Sequence, residues 1–418
     1  MGILIYSYNY YPEKIGIAPL MTELAEGLVQ RGHNVRVITA FPWYPENKIP
    51  RQYSGKLYLK EDINGVIVQR CYVRANPNRT LLNRILFELS FIIFSFFQAL
   101  MGERPKVILY VIPGLPVTLP ATILGKIFNV PVLLNLQDIL PDAAVAVGLM
   151  NNQMMIKISN KLADFAYRKA QEILVIDDGF TRNLVNRGVN QNKIFEIPNW
   201  VNIERIHPIP QNQKNAFREE YNLQDQFIVL YSGNIARTQP LEHLIHAASY
   251  LKHLPDIVIV IVGPESSFDR LERAKERYDT KNVIILQFQP KERYNEVLAA
   301  ANISMVVQRS NVVDFNMPSK IPRIMASGRA IIASVPENGT AARVIQKSGG
   351  GIVVPPEDTR AIASAIDQLY SDRELLAQLG QKGRAFAEEH FSFDQILLKY
   401  ENRLLSAIDD YPSRRRGR

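Results

Sequence analysis

The chain has 418 residues, 47% apolar and 22% charged, which is more than one ordinary hydrophobic core holds and points to a globular protein of two domains with disorder confined to its ends. A formal charge of +8 and a pI near 9.3 favour an anionic partner, whether nucleic acid, a phosphorylated substrate or an anionic lipid surface, and the sign alone does not choose among them. The single cysteine, Cys71, excludes an internal disulfide, and no start resembling a signal peptide precedes the apolar run at 2–6, so a cytoplasmic location is expected.

In chain order, a strand at 3–6, a loop containing Tyr, Pro and Gly, a helix at 19–31 and a strand at 35–39 make a βαβ opening. Segment 81–101 is apolar on two sides, with Phe87, Phe91 and Phe94 along one and Leu82, Leu86, Leu89, Ile93, Phe96 and Leu100 along another. Asn83, Arg84, Glu88 and Gln98 interrupt it, leaving a stretch too short for the ~20 residues that cross a bilayer. A core helix is the favoured reading, and a helix dipping into a membrane surface is the alternative.

Strands at 107–111, 132–136 and 172–176 then alternate with helices at 120–128 and 154–170. Such uniformly apolar runs suit parallel strands covered on both faces. Residues 198–215 are rich in Pro and Asn and lack periodicity, as an inter-domain linker does. Strands at 227–232, 256–262, 283–286, 303–307, 330–334 and 351–354 and a helix at 240–251 resume the rhythm. The fold class is therefore α/β: two Rossmann-like domains facing across a cleft, an N-terminal one at 1–200 and a C-terminal one at 206–392. A last helix at 393–409 returns to the first domain, and the tail 412–418 is expected to be disordered.

Open α/β sheets bind ligands beyond the carboxyl ends of their strands, so the chemistry belongs in the strand-end loops. After the first strand, YYPEKIGIAP (10–19) puts Gly16 ahead of a helix whose free N–H groups suit an anion or a hydroxyl-rich ligand, a tight turn being the alternative. GxGxxG is absent there, which weighs against a dehydrogenase. Asp138, after the strand at 132–136, is a candidate general base or substrate-orienting carboxylate, or else a helix cap. The glycine-bearing loop SGNIARTQP (232–240), with Gly233 and Arg237, makes a diphosphate cradle, although a lone Arg237 would more simply be a surface residue. Arg309 and Lys320, the latter after Ser319 in MPSKIPRIMASGR, add two cations at later strand ends of the same domain, as a departing diphosphate needs. His243, His246 and His253 lack further ligands at metal-binding spacing, so no metal site and no resident cofactor are expected. The terminal RRRGR suits phosphate or headgroup contact, or is simply solvated.

Taken together, NYYPEKIGIAP with ELAEGLVQRGHNVRVITAFPWYP (9–19 and 23–45), LQDILPDAAVAVGL (136–149), YSGNIARTQPLEHLIHAA (231–248) and MPSKIPRIMASGRAIIASVPENGTAARVI (317–345) resemble family 4 glycosyltransferases. Within that family the likeness is nearest to the colanic acid biosynthesis branch and related capsule, exopolysaccharide and O-antigen sugar transferases, and it spans nearly the whole chain. The resemblance implies a GT-B architecture, an acceptor on the first domain, a nucleotide sugar on the second, and a retaining, metal-independent reaction. By the same resemblance Gly16 approaches the donor diphosphate or sugar, Asp138 lines the reacting centre, and Arg237 and Lys320 hold the diphosphate. Glu337, Asn338, Gly339 and Thr340 offer backbone N–H groups to the donor.

One departure stands out: the two glutamates that many members carry before the MASG-like segment are replaced by Phe315 and Arg323. Ribose recognition is thereby left unassigned, with Glu337 a candidate carboxylate. The expected activity is transfer of a sugar from a UDP- or GDP-linked donor to a lipid-linked glycan acceptor at an anionic membrane surface on the cytoplasmic side, with no role for nucleic acid. A catalytically silent nucleotide-sugar-binding subunit and a sugar-nucleotide epimerase are the alternatives.

Overall fold

The computed structural model describes every residue except 15, 79, 143–144, 146–149, 211–212, 237, 313–317 and 417–418, and describes 412–416 through their backbone alone. The chain forms two compact units, Met1–Pro198 with Leu397–Arg418, and Asn199–Ile396.

The first unit is built on an eight-stranded sheet in the order β3-β4-β2-β1-β5-β6-β7-β8. Its strands are β1 Gly2–Tyr6, β2 Asn34–Ala40, β3 Tyr58–Ile63, β4 Val66–Cys71, β5 Val107–Ile112, β6 Val132–Leu136, β7 Glu172–Val175 and β8 Ile194–Glu196. All neighbours run parallel except β3 with β4. Every residue of β5 is buried, which is what an uninterrupted VILYVI run between helical layers should give. Tyr6, the last residue of β1, lies level with Ile38 of β2 and Tyr110 of β5, so the three loops that follow leave the sheet at one place. The antiparallel β3–β4 hairpin is absent from the expected elements. Asn64 and Gly65 join its strands, both at positive φ (53° and 82°), and an Asn-Gly pair is the commonest signature of that turn.

Helix α1 (Ala18–Gln30) follows β1, α2 (Leu81–Leu100) follows β4, and α3 (Thr118–Phe128) follows β5. The structure corrects the reading of α2 as a core helix, because it is buried on one side only. Phe91, Ser95, Gln98 and Ala99 are buried against β2, β4 and α3, while Leu82, Ile85, Leu89, Ile93 and Phe97 on the outer side are each about half exposed. Two of the polar residues that interrupt the apolar run, Glu88 and Gln98, serve the inner face, as does Ser95. The Tyr8 hydroxyl donates to Glu88 Oε2 and the Tyr6 hydroxyl to Ser95 Oγ. The sheet offers a single surface to α2, so a helix apolar on two sides leaves one of them uncovered. By length and composition α2 also passes as a membrane span.

The second unit carries a six-stranded, wholly parallel sheet in the order β11-β10-β9-β12-β13-β14. These are β9 Phe227–Ser232, β10 Ile257–Gly263, β11 Val283–Gln287, β12 Ile303–Val307, β13 Ala330–Ser334 and β14 Gly351–Val354. Alternate residues feed two apolar layers, Val229, Ile261 and Ile332 on one face and Leu230, Val260 and Ile331 on the other, as the period-2 pleat requires. Strand order reverses between β1 and β5 in the first sheet and between β9 and β12 in the second. Those switch points are where open α/β sheets form crevices.

The last helix spans Phe393–Arg416, so the tail expected to be disordered continues as helical backbone to 416. The part from Leu397 belongs to the first unit. There Arg403 forks onto the buried Glu172 of β7 at 2.7 and 3.0 Å, and Glu401 accepts from Arg31 at 2.8 Å and pairs with His33 at 2.6 Å. A two-pronged guanidinium on a carboxylate with no exposure is the geometry in which an ion pair is held most firmly.

Candidate active site

At the β9/β12 switch point Lys320 begins a short helix, Lys320–Ala326, and extends back beneath the loop that follows β9. Its stem is partly exposed, but the ammonium nitrogen is buried and has no hydrogen-bond partner among the described residues. It lies 3.5 Å from the centroid of the Tyr231 ring. Desolvation pushes its pKa down to about 7, since an ammonium loses its hydration there and gains only the negative face of one aromatic ring in return. Gly233 makes this approach possible: its φ is +149°, and a Cβ at that position would stand 2.9 Å from Lys320 Nζ. Sequence reasoning identifies the lysine and the glycine separately, and the fold brings them into contact.

Arg309 is exposed and ion-paired to Glu357 at 3.2 Å, while its backbone N–H donates to Thr238 O at 3.0 Å. That bond ties the loop after β12 to the loop after β9. Ser319 is exposed beside Lys320. Glu337 and Asn338 are exposed, whereas Gly339 and Thr340 are buried at the start of a nine-residue helix, Thr340–Ser348, that has no side-chain cap. Its first N–H groups therefore lack intrahelical partners, which suits an oxyanion. Arg343, one turn along, donates to Asn338 O and, at 3.0 Å, to Thr340 Oγ1, so it fixes this loop. Arg237 and Phe315 lie outside the described residues. Arg323 is exposed, about 6.0 Å from the Tyr294 ring.

In the first unit, Asp138 sits just beyond β6. Its side chain is exposed, yet the protein packed around the carboxyl desolvates it enough to push its pKa up to about 6. No backbone N–H among the described residues donates to it, so it does not make a capping bond. Gly16 is exposed at φ +67° in the turn before α1, whose N-terminus has neither a side-chain cap nor an acidic residue in its first turn.

Gly16 also opens onto a cavity of about 280 Å³ at the β1/β5 switch point. Sequence reasoning does not assign this cavity. Its walls include Tyr8 and Asn9 after β1, Trp43 and Tyr44 after β2, and Phe87 and Glu88 of α2. Glu13 braces it from behind, accepting from the Trp43 and Tyr44 N–H groups at 2.9 and 2.8 Å and from Asn9 Nδ2 at 2.6 Å. The FPWYP run at 41–45 is the signal that could have located it, an aromatic cluster placed just after a strand.

Two sheets with strand-order reversals, and in the second unit a buried lysine and a bare helix N-terminus, have counterparts among known proteins. Residues 16–200 match the glycosyl transferase 4-like domain and residues 213–386 match glycosyl transferases group 1. The chain belongs to the glycosyltransferases of GT-B fold. It is 29% identical over 409 residues to the colanic acid biosynthesis glycosyl transferase WcaI of Escherichia coli K12, covering 96% of this chain and 99% of the relative. Among solved structures, sucrose-phosphate synthase from Thermosynechococcus elongatus aligns with a TM-score of 0.71 at 18% identity, over 97% of this chain and 100% of that one. HepE of Anabaena in complex with UDP aligns with a TM-score of 0.71 at 15% identity, over 97% and 100%.

Proposed function

We propose that the protein is a retaining glycosyltransferase that moves a sugar from a UDP- or GDP-linked donor to a lipid-linked glycan, in exopolysaccharide, capsule or O-antigen synthesis at the cytoplasmic face of a membrane. The observation that carries the donor half is Lys320, a buried ammonium with no hydrogen-bond partner among the described residues, at the strand-order reversal of the second unit. A group so placed costs stability unless an anion arrives to meet it. As the bond from sugar to phosphate breaks, negative charge gathers on the departing diphosphate, and a fixed cation beside it lowers the barrier. The UDP complex of HepE supports a nucleotide donor, and the colanic acid role in the name of WcaI supports polymer synthesis. The first N–H groups of the Thr340–Ser348 helix share the donor's charge with Lys320, so no divalent metal is needed. Purified protein given UDP- and GDP-hexoses is expected to release nucleoside diphosphate with the sugar anomer retained, undiminished in EDTA. Loss of turnover in EDTA, restored by magnesium, would contradict this charge balance. Binding without turnover of any donor would point to a silent nucleotide-sugar-binding subunit.

The uncovered side of α2 supports the acceptor half. Leu82, Ile85, Leu89 and Ile93 continue into Leu119, Ile123 and Ile127 on the neighbouring α3, all exposed. Soluble monomers seldom leave so continuous an apolar surface to water. Arg74 and Arg84 are exposed close by in the chain, and each cation near an anionic lipid surface contributes about 1 kcal/mol. The side chains of Arg79, Arg414, Arg415, Arg416 and Arg418 lie outside the described residues. Apolar side chains entering the headgroup layer, with cations beside them, give reversible attachment without a span. Co-sedimentation is expected with vesicles containing phosphatidylglycerol and to fall as salt rises, with little binding to phosphatidylcholine alone. Failure to bind either vesicle would mean that the acceptor is soluble.

A further inference from the structure

Between β1 and α1 the described residues of segment 7–17 form neither helix nor strand, so no backbone ladder decides where Gly16 and the start of α1 stand. Side chains do so instead. Arg70, on β4 and almost wholly buried, donates to Tyr11 O at 2.6 Å while it pairs with Glu61, and Thr22 Oγ1 of α1 accepts from the Tyr11 N–H at 3.1 Å. Glu13 makes the widest tie. Its carboxylate is buried, with Oε1 accepting from the Trp43 and Tyr44 N–H groups and Oε2 from Asn9 Nδ2, so one side chain joins the loop after β1 to the loop after β2. Hydrogen bonds to an ionised acceptor are roughly twice as strong as neutral ones, and two of these donors belong to the backbone, which cannot swing away. The arrangement also resolves a competition. Glu13 lies a few residues before a helix start whose free N–H groups attract carboxylates, yet α1 has no side-chain cap and both Glu13 oxygens are taken by donors outside the helix. The N-terminus of α1 is thereby left open, with Gly16 exposed beside it.

We propose that Glu13 is a positioning residue for sugar transfer, a latch that fixes Gly16 and the N-terminus of α1 by tying their loop to Trp43 and Tyr44, and that holds its own charge away from them. The inference rests on the reading of the protein as a nucleotide-sugar transferase whose β1–α1 loop meets the reacting group. Glu13 itself is buried behind that loop and acts through it. Misplacing a reacting group by about 1 Å can cost on the order of 10²-fold in rate, so the latch acts on turnover and leaves nucleotide binding, assigned to the second unit, unchanged.

Three variants test this, with turnover read as nucleoside diphosphate released from UDP- and GDP-hexoses and nucleotide affinity measured by calorimetry. Glu13→Ala is expected to lower kcat by about tenfold to a hundredfold, with UDP or GDP affinity changed by less than about twofold. Glu13→Gln keeps an oxygen for the two backbone N–H groups, Asn9 turning its own amide over to face the new one, and is expected to recover kcat to within about threefold of wild type. Leu184→Ala is the stability control. Leu184 is fully buried in the helix Asp178–Asn186, which packs on β7 and β8 with β5 and β6 standing between them and β1. Its truncation weakens the fold without touching the loop, and below its unfolding midpoint it is expected to keep wild-type turnover. The latch is also visible without catalysis. Trp200 packs on Phe393 in the second unit, and in a Trp200→Phe background, where Trp43 is the remaining indole, Glu13→Ala should shift the emission to the red and Glu13→Gln should not. If Glu13→Ala keeps wild-type kcat, if it loses no more than an equally or more destabilised Leu184→Ala, or if Glu13→Gln is as slow as Glu13→Ala, the latch is wrong while the transferase reading stands. If the wild type turns over no donor, the transferase reading falls and the latch with it.

Discussion

Lys320→Met is expected to lower turnover by about two orders of magnitude and at the same time to make the protein more stable. The first effect follows if the ammonium bonds the departing diphosphate chiefly in the transition state, where removal of one such donor typically costs ~10²–10³ in rate. The second follows from burial. The Lys320 pKa falls from the ordinary 10.5 of a lysine to about 7, and each unit is worth about 1.4 kcal/mol, so holding the ammonium charged in the empty protein costs roughly 3–5 kcal/mol. Between pH 7 and 10.5 the unfolded chain binds the proton and the folded chain does not, so stability rises with pH across that window. The burden is complete below pH 7 and gone above 10.5. Methionine keeps most of the stem without the charge, so its advantage in urea unfolding should be largest at pH 6 and vanish towards pH 10. A variant that is inactive and also destabilised at pH 6 would show Lys320 to be a structural group.

Gly233→Ala is expected to reduce turnover by about tenfold to a hundredfold through the same lysine. A backbone φ of +149° is a region that a side chain enters only at a cost of order 1–3 kcal/mol. The added methyl would also stand 2.9 Å from Lys320 Nζ and 3.1 Å from its Cε. The amine is the flexible end of a long chain and gives way more easily than the backbone, so the fold survives and the cation moves off its position over Tyr231. Steady-state kinetics should show kcat falling more than the donor KM rises. An alanine variant with unchanged kcat would mean that the position of the amine is immaterial. If Lys320 acts through Gly233's absent side chain as described, the double variant with Lys320→Met should be little slower than Lys320→Met alone.

Most strands of both sheets could be read from the sequence because parallel, doubly covered strands appear as short apolar runs. The runs at 132–136, 227–232, 303–307, 330–334 and 351–354 match the observed strands residue for residue. The β3–β4 hairpin is hard to read because an edge hairpin alternates only weakly. The burial pattern of β3, mostly partial, reflects a strand with one neighbour, and the Asn64-Gly65 turn was the legible cue. Helix α2 departs from the sequence expectation for a different reason. Apolar residues on two faces signal burial only if two surfaces are available, and the number of surfaces is a property of the tertiary fold.

The candidate site was legible in part. Lys320, Gly233 and the loop at 337–340 stand at strand ends, which spacing reveals. The approach of Lys320 to Gly233, its seat over the Tyr231 ring and its lowered pKa depend on residues far apart in the chain. The cavity shows this most clearly, since Tyr8 and Trp43 follow β1 and β2, which pair in register, and Glu88 is carried there by α2, which packs on β2 and β4.

The most direct test of a donor site built on Lys320 is calorimetric titration with UDP and GDP in buffers of different ionisation heat, at pH 6 and pH 8.5. At pH 6 the lysine is already charged in the empty protein. At pH 8.5 it is largely neutral, and a bound diphosphate restores its proton by favouring the charged form. Binding of at least one nucleotide is expected, with the wild type taking up close to one more proton per nucleotide at pH 8.5 than Lys320→Met does, and with little difference between the two at pH 6. Failure of both nucleotides to bind, or the same proton uptake by Lys320→Met and wild type at pH 8.5, would contradict it.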